Sequence, residues 1–459
     1  MLNKNKGFDF ENEILSFKSN INGFTKSMFN DFDLIGNGMR LETKIKDLFD
    51  GKKVNYTENK AALHVKNRDD LNEIWDGFDV FLMKEKLGGS FKSKDGKLDT
   101  KIKNIFVLGI GGSFEGPKLL LESLSSHKSF FNIEFITGSD QFEFIYKTKD
   151  IKPSETLFIV SSKSFTTDET LFSLKEAIKW SGDMNNFIAI TANTKEALKY
   201  NIHEDWIIPL NEEIGGRYSI WSAICLPAYI EFKCGNSGIQ DKYYDHGARD
   251  GEEIEMFCLG GKSADRDLIE NKEYLEFVKT LSYSDIYLNN ERNFNARAVL
   301  SYNWRLRSFA DYVQQLEMES LGKQPNGHWE NTGQIIFGGY GPTAQHSYFQ
   351  LLHEGTASIA ADIIVSKEDS GSLAYAQAIT QAKLLSNGYI GNIKGGMGKT
   401  PVNLFLLNKL DSYTLGYLIA TWEHRTFITA AMHEINPFDQ FGVSAGKIAT
   451  KKYLEENGG

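Results

Sequence analysis

The chain is 459 residues long, too many for one simple core, and at ~150 residues per domain it implies two or three domains. Hydrophobic residues make up 41% and charged residues 24%, a composition that excludes a disordered or fibrous chain. Lys and Arg number 51 against 61 Asp and Glu, a net charge of −10 that argues against a general polyanion binder, so nucleic acid and anionic membranes are not the expected partners.

Residues 1–95 read as a polar helical lead-in, with helices near 44–49 and 69–87 followed by a glycine- and lysine-rich run at 88–96. The texture changes at Ile105-Phe-Val-Leu108, a short apolar run with the character of a fully buried strand, followed by a glycine turn and a helical run from Lys118. Similar runs at 133–137, 156–160 and 187–191, with a helical segment at 170–180, give strand and helix in alternation, hence a parallel α/β sheet over 96–240. Residues 241–284 read as a helical connection. A second α/β unit is expected over 285–412, with a short run at 286–288, a long helix over 296–318, a strand at 335–337 and a helix from 344. Residues 413–459 close the chain as a helix pair broken at Asn436-Pro437.

No CxxC pair occurs among Cys225, Cys234 and Cys258, which fit neither a disulfide framework nor a zinc ribbon. The first residues carry no apolar leader, and no stretch approaches the ~18 apolar residues of a membrane span. A cytoplasmic protein is expected.

Several segments carry the residue types of a chemical site. Gly109-Ile-Gly111-Gly112-Ser113 lies where a strand gives way to a helix, so its backbone N–H groups can face an anion. The third glycine of a dinucleotide fingerprint is Phe114, and no Walker Gly-Lys-Ser/Thr follows, which disfavours a nicotinamide cofactor or ATP. Ser162-Lys163-Ser164-Phe-Thr166-Thr167-Asp-Glu169-Thr170 follows a buried strand, and its Thr166-x-x-Glu169 capping-box pattern places a helix start beside a hydroxyl cluster, a seat suited to a phosphate monoester. In Gly215-Gly216-Arg217-Tyr-Ser the glycine pair permits close approach and the arginine can stabilise an oxyanion; a surface arginine capping a loop is the plain alternative. Glu317 and Glu319 stand at i and i+2, on different sides of a helix, so they are no mutual acid/base pair. Spacing alone does not raise Glu319 above a solvated glutamate, and His346 with His353 fails every zinc pattern. Viewed singly, Lys447 is an ordinary solvated lysine.

Taken together and in order, Ile110-Gly-Gly-Ser113, Ser162 to Thr170, Gly215-Gly-Arg-Tyr-Ser-x-Trp-Ser222, Met318-Glu-Ser320 with Gly-Lys323, Gln345-His346 and Phe438-Asp-Gln-x-Gly-Val-x-x-Gly-Lys447 resemble the glucose-6-phosphate isomerase family. The likeness spans 109–447 and is closest to the compact bacterial members. It implies two sugar-isomerase (SIS-type) three-layer αβα domains with parallel sheets, and a helical tail that embraces a partner subunit. It further implies that Glu319 moves a proton between C1 and C2, that His346 assists ring opening, that Lys447 acts at the ring-oxygen side and that Arg217 stabilises the enediolate. Ser113, Ser162, Ser164, Thr167 and Thr170 would hold the phosphate, with Gly112, Lys163 and Gln315 lining the substrate. No metal and no cofactor are implied, and the histidine would come from the neighbouring subunit of a homodimer. Glu115 departs from the apolar residue usual in that turn. Two other readings are a non-catalytic phosphosugar-binding module, which would lack the base, and a metal-dependent barrel isomerase, which would need clustered His and Glu ligands.

Overall fold

Two short strands, β1 (Phe10–Glu11) and β2 (Leu15–Asn20), open the part of the chain that the computed structural model describes, which comprises residues 8–88, 102–125, 129–235, 252–388 and 400–457. The domain edges expected at 95/96 and 240/241, and most of the run at 88–96, lie outside the described residues. The first sheet contains β3 (Asn104–Leu108), β4 (Asn132–Ile136), β5 (Thr156–Ser161), β6 (Phe187–Thr191) and β7 (Ile207–Pro209), all parallel, in the order β4-β3-β5-β6-β7. Period-2 alternation sends its side chains into two separate cores. Ile105 and Val107 pack with Ile230, whereas Phe106 and Leu108 pack with Leu174 and Ala177, so helices cover both faces.

The second sheet repeats the scheme. Its strands β8 (Ala296–Ser301), β9 (Ile335–Tyr340), β10 (Ile359–Ser366) and β11 (Val402–Leu407) run parallel in the order β9-β8-β10-β11, and β2 adds antiparallel to β11 with Phe17 opposite Phe405. Val299, Ile364 and Phe405 face one core while Leu300, Ile363 and Leu404 face another. The architecture is therefore α/β, with two parallel-sheet units each layered between helices.

Three local expectations are corrected. The lead-in is not wholly helical, because β1 and β2 extend the second sheet. The run at 286–288 lies inside the helix Lys272–Glu291, which is buried from Phe277 to Asn289 and so lacks the polar stripe that marks an amphipathic helix. Residues 296–301 form β8, and the helix starts only at Phe309, as Phe309–Leu321.

The helix Ser412–Met432 runs through the protein interior, buried along nearly its whole length. It crosses the helix Glu253–Glu270 closely enough that a Cβ on Gly260 would overlap the Tyr413 carbonyl and one on Gly416 the Phe257 carbonyl. Its Arg425 bonds Asp285 at 2.6 and 2.7 Å and Asp362 at 2.7 Å. Arg297 on β8 shares both carboxylates and also pairs with Glu317. Charges buried this deeply persist only when mutually neutralised. The pairing fixes the rotation of helix Phe309–Leu321: with Glu317 turned into the core, Glu319, two residues and ~200° further on, faces away from it.

Candidate active site

In a doubly wound sheet the crevice opens where the strand order reverses, here between β3 and β5 at their carboxyl ends. The two loops leaving those ends are Gly109–Gly111 and Ser162–Thr167. Gly111 has φ +60° as the residue before helix Gly112–Leu124, a conformation that favours glycine. A Cβ on Gly112 would overlap the Gly216 carbonyl, so the turn and the arginine loop lie in backbone contact. A Cβ on Gly109 would crowd both Ser113 and the Ser161 carbonyl, so the turn lies close against the end of β5.

On the β5 side, Ser162 Oγ and Thr167 Oγ1 are 3.2 Å apart, and Ser164 Oγ accepts from the Thr166 amide at 3.2 Å and the Thr166 hydroxyl at 2.8 Å. Thr170 is buried with its hydroxyl free of protein partners. Phe165 holds φ +52°, strained for an aromatic residue. The helix begins at Asp168 and its cap is Thr167 with no side-chain cap bond, so the expected capping box from Thr166 does not form. Lys163 Nζ donates to the carbonyls of Glu212 at 3.2 Å and Ile214 at 3.0 Å, and its pKa lies below the usual lysine value through burial and the Lys60 charge.

Arg217 is fully buried in the short helix Gly216–Trp221 and its donors are all engaged. Nε donates to Ser320 Oγ at 2.7 Å; Nη1 donates to Glu319 Oε2 at 3.0 Å and Gln440 Oε1 at 2.9 Å; Nη2 donates to the carbonyls of Pro437 and, at 2.9 Å, Asp439. Tyr218 OH lies 3.0 Å from Ser320 Oγ, which secures the serine that orients the guanidinium. Gln315, one turn before Glu319, donates to Glu319 Oε1 at 3.4 Å and lies over Gly111.

Glu319 and Gln315 stand in the wall of a cavity of about 1450 Å³, together with Gly111, Lys323, Asp439 and Gln440. On the side of the first sheet the wall takes in Ile110, Gly111, Phe114, Glu115 and Thr137, and the hydroxyl loop follows β5, the strand on the other side of β3. Of the sequence-derived candidates, Glu319 and Gln315 line this cavity, Arg217 reaches it through Glu319, and Gly112 abuts Gly216 beside that arginine, whereas Ser113, Ser162, Lys163, Ser164, Thr167 and Thr170 are not in its wall. The same holds for the remaining two candidates. His346 is exposed just after the helix Gly341–Gln345, and Lys447 is exposed on the helix Ser444–Asn457; neither lines the cavity. Gln440 and Lys323 stand at the site although no role was read for them. Gln440 sits in the Phe438-Asp-Gln segment, 223 residues from Arg217 in sequence, and meets it only through the fold. Among the described residues no group of three or more His, Cys, Asp or Glu side chains is placed to hold a metal ion.

The Gly112–Gly216 contact yields a prediction. Gly112→Ala must separate the turn from the arginine loop, and since a ~1 Å misplacement costs on the order of 10²-fold, steady-state assays should show kcat/KM reduced about 100-fold. A value within twofold of the parent would refute the contact.

The family model of phosphoglucose isomerase matches residues 17–392 and 388–458. The glucose-6-phosphate isomerase of Wigglesworthia glossinidia brevipalpis is 30% identical over 96% of this chain and 85% of its own length. That of Shewanella loihica is 33% identical over 89% and 81%. The crystal structure of a glucose-6-phosphate isomerase from Chlamydia trachomatis superposes with a TM-score of 0.80 at 20% identity, covering 99% of this chain and 90% of that one, a likeness of fold. With the family match running across nearly the whole chain, this protein belongs to the phosphoglucose isomerase family.

Proposed function

We propose that the chain interconverts glucose 6-phosphate and fructose 6-phosphate, the aldose–ketose step of glycolysis and gluconeogenesis. The observation that carries the reading is the 3.0 Å pair of Arg217 with Glu319, a carboxylate in the wall of a large cavity backed by a buried cation. With the sugar open, Glu319 takes the C2 proton; the C–H electron pair forms the C1=C2 bond and O1 gains the negative charge of an enediolate. A proton passes from the O2 hydroxyl to O1; the C1=C2 pair then takes the Glu319 proton at C1 as an O2 electron pair closes the C2 carbonyl. Protonation of Glu319 removes its own charge, which leaves the Arg217 cation behind the carboxyl uncompensated as the sugar oxygen gains one; with all its N–H groups engaged by the protein, Arg217 stabilises that oxygen by its charge rather than as a direct donor. Ser113, Ser162, Ser164, Thr167 and Thr170 seat the phosphate, with Gly112, Lys163 and Gln315 lining the substrate, and that remote binding orients the reacting carbons.

His346 assists ring opening and Lys447 acts at the ring oxygen, both within a homodimer. Two features support that assembly. The cavity exceeds the ~300–1,000 Å³ of an ordinary small-ligand pocket, leaving room for a segment of a second subunit. The helix Ser444–Asn457 is exposed over 445–457, including Ile448 at 70% and Tyr453 at 65%, apolar side chains suited to covering another surface. No described helix is long and apolar enough to cross a membrane, and a cytoplasmic location remains the reading. We place the two α/β units at 96–240 and 285–412.

The test is turnover of fructose 6-phosphate by purified protein, followed as glucose 6-phosphate, with and without a strong chelator. Equal rates in both conditions are expected; no turnover would overturn the reading.

A further inference from the structure

The last four carbonyls of any α-helix have no partner within it, and the aligned peptide dipoles leave about half a negative charge there. Glu319 stands in that last turn of helix Phe309–Leu321, so the backbone carrying the base is the part of the helix least held by its own hydrogen bonds. Lys323 reaches back over this end. Its Nζ donates to the Glu319 carbonyl at 2.7 Å and the Ser320 carbonyl at 2.9 Å, and stands 3.6 Å from Asp439 Oδ1. The backbone carbonyl of Asp439 receives Arg217 Nη2, and Ser320 Oγ receives Arg217 Nε. One ammonium thus fastens the turn bearing the base to the loop bearing the arginine's acceptors, inside the same cavity wall.

We infer that Lys323 is a positioning residue for the isomerisation, holding Glu319 and the Asp439 loop in register so that the carboxylate meets the sugar carbons with Arg217 behind it. This rests on the isomerase reading above. Lys447, which the resemblance places at the reaction, is not in the cavity wall of the chain, whereas Lys323 is. The charged groups facing Lys323 are Arg217 from the arginine loop, Asp439 from the 436–440 turn and Glu319 from its own helix. Burial and the Arg217 charge push its ammonium down to about 8, against the pull of the two carboxylates. The grip is therefore complete at neutral pH and is released as pH rises through that value.

The experiment compares wild type, Lys323→Met and Lys323→Arg across pH 6.5 to 10. Wild type should show kcat falling on the alkaline side with a midpoint near 8. Lys323→Met keeps the bulk but not the charge; its kcat should fall about 10- to 30-fold at neutral pH, the upper range for a charge at a helix end, with KM moved less than twofold and the limb near 8 gone. Lys323→Arg should restore kcat to within about fivefold and carry the limb above pH 9.5, because a guanidinium does not titrate in this range. A wild-type profile flat to pH 9.5, a limb unmoved in Lys323→Arg, or a Lys323→Met variant altered in KM alone would each overturn the inference. If Lys323→Met fails to fold by circular dichroism, the position of the limb in Lys323→Arg decides. A wild type with no turnover removes the isomerase reading and the inference with it, an outcome distinct from active enzymes with unmoved profiles.

Discussion

Glu319→Gln should reduce fructose 6-phosphate turnover by about 10²–10⁴-fold, the range associated with loss of a positioned general base. Glutamine matches glutamate in shape, so the amide oxygen can keep the Arg217 contact now made at 3.0 Å while the proton acceptor is lost. In the proposed function the phosphate is held by the hydroxyl loop of the first sheet, which the substitution does not touch, so KM should change little. The loss should therefore fall on kcat and kcat/KM alike, the pattern of an interaction made only in the transition state. Wild-type activity should survive chelation in the same assay. Equal rates for variant and parent would take Glu319 out of the reaction, and a large rise in KM at unchanged kcat would recast it as a binding group.

Much of the first sheet was legible because Ile105-Phe-Val-Leu108 and its neighbours are apolar on both faces and end at glycine or hydroxyl turns, which is what a strand buried between helices requires. The second sheet hid its first strand. Arg297 interrupts Ala296–Ser301 with a charge that only Asp285, Glu317 and Asp362 make tolerable, and those partners come from two helices and another strand. Local periodicity contains no trace of such pairing. The i, i+2 spacing of Glu317 and Glu319 did foretell opposite faces, but which one turned outward was settled by Arg297. Around Arg217 the limit is different: two acceptors are the carbonyls of Pro437 and Asp439, and a carbonyl has no side-chain signature. Lys323 acts through carbonyls as well, which is why a lysine following Gly322 drew no role from residue type alone.

Mixing two inactive proteins should recover activity. His346 is exposed beyond β9 and stands outside the cavity wall of its own chain, while Glu319 lines that wall. If each site takes its glutamate from one subunit and its histidine from the other, then Glu319→Gln and His346→Gln homodimers each lack one group at both sites. A heterodimer places both defects in the same site and leaves its second site intact. Random exchange of equal amounts makes about half of the dimers mixed, each with one intact site of two, so recovery should reach about one quarter of wild-type activity. Exchange is driven by brief exposure to mild denaturant and checked by separating differently tagged subunits. Mixed dimers that form and stay inactive would place His346 in its own subunit's site and require movement of the segment after Tyr340 to bring it to Glu319. Recovery near one quarter would instead assign the open space beside Glu319 to the neighbouring chain, which makes assembly a condition of catalysis rather than a source of stability alone.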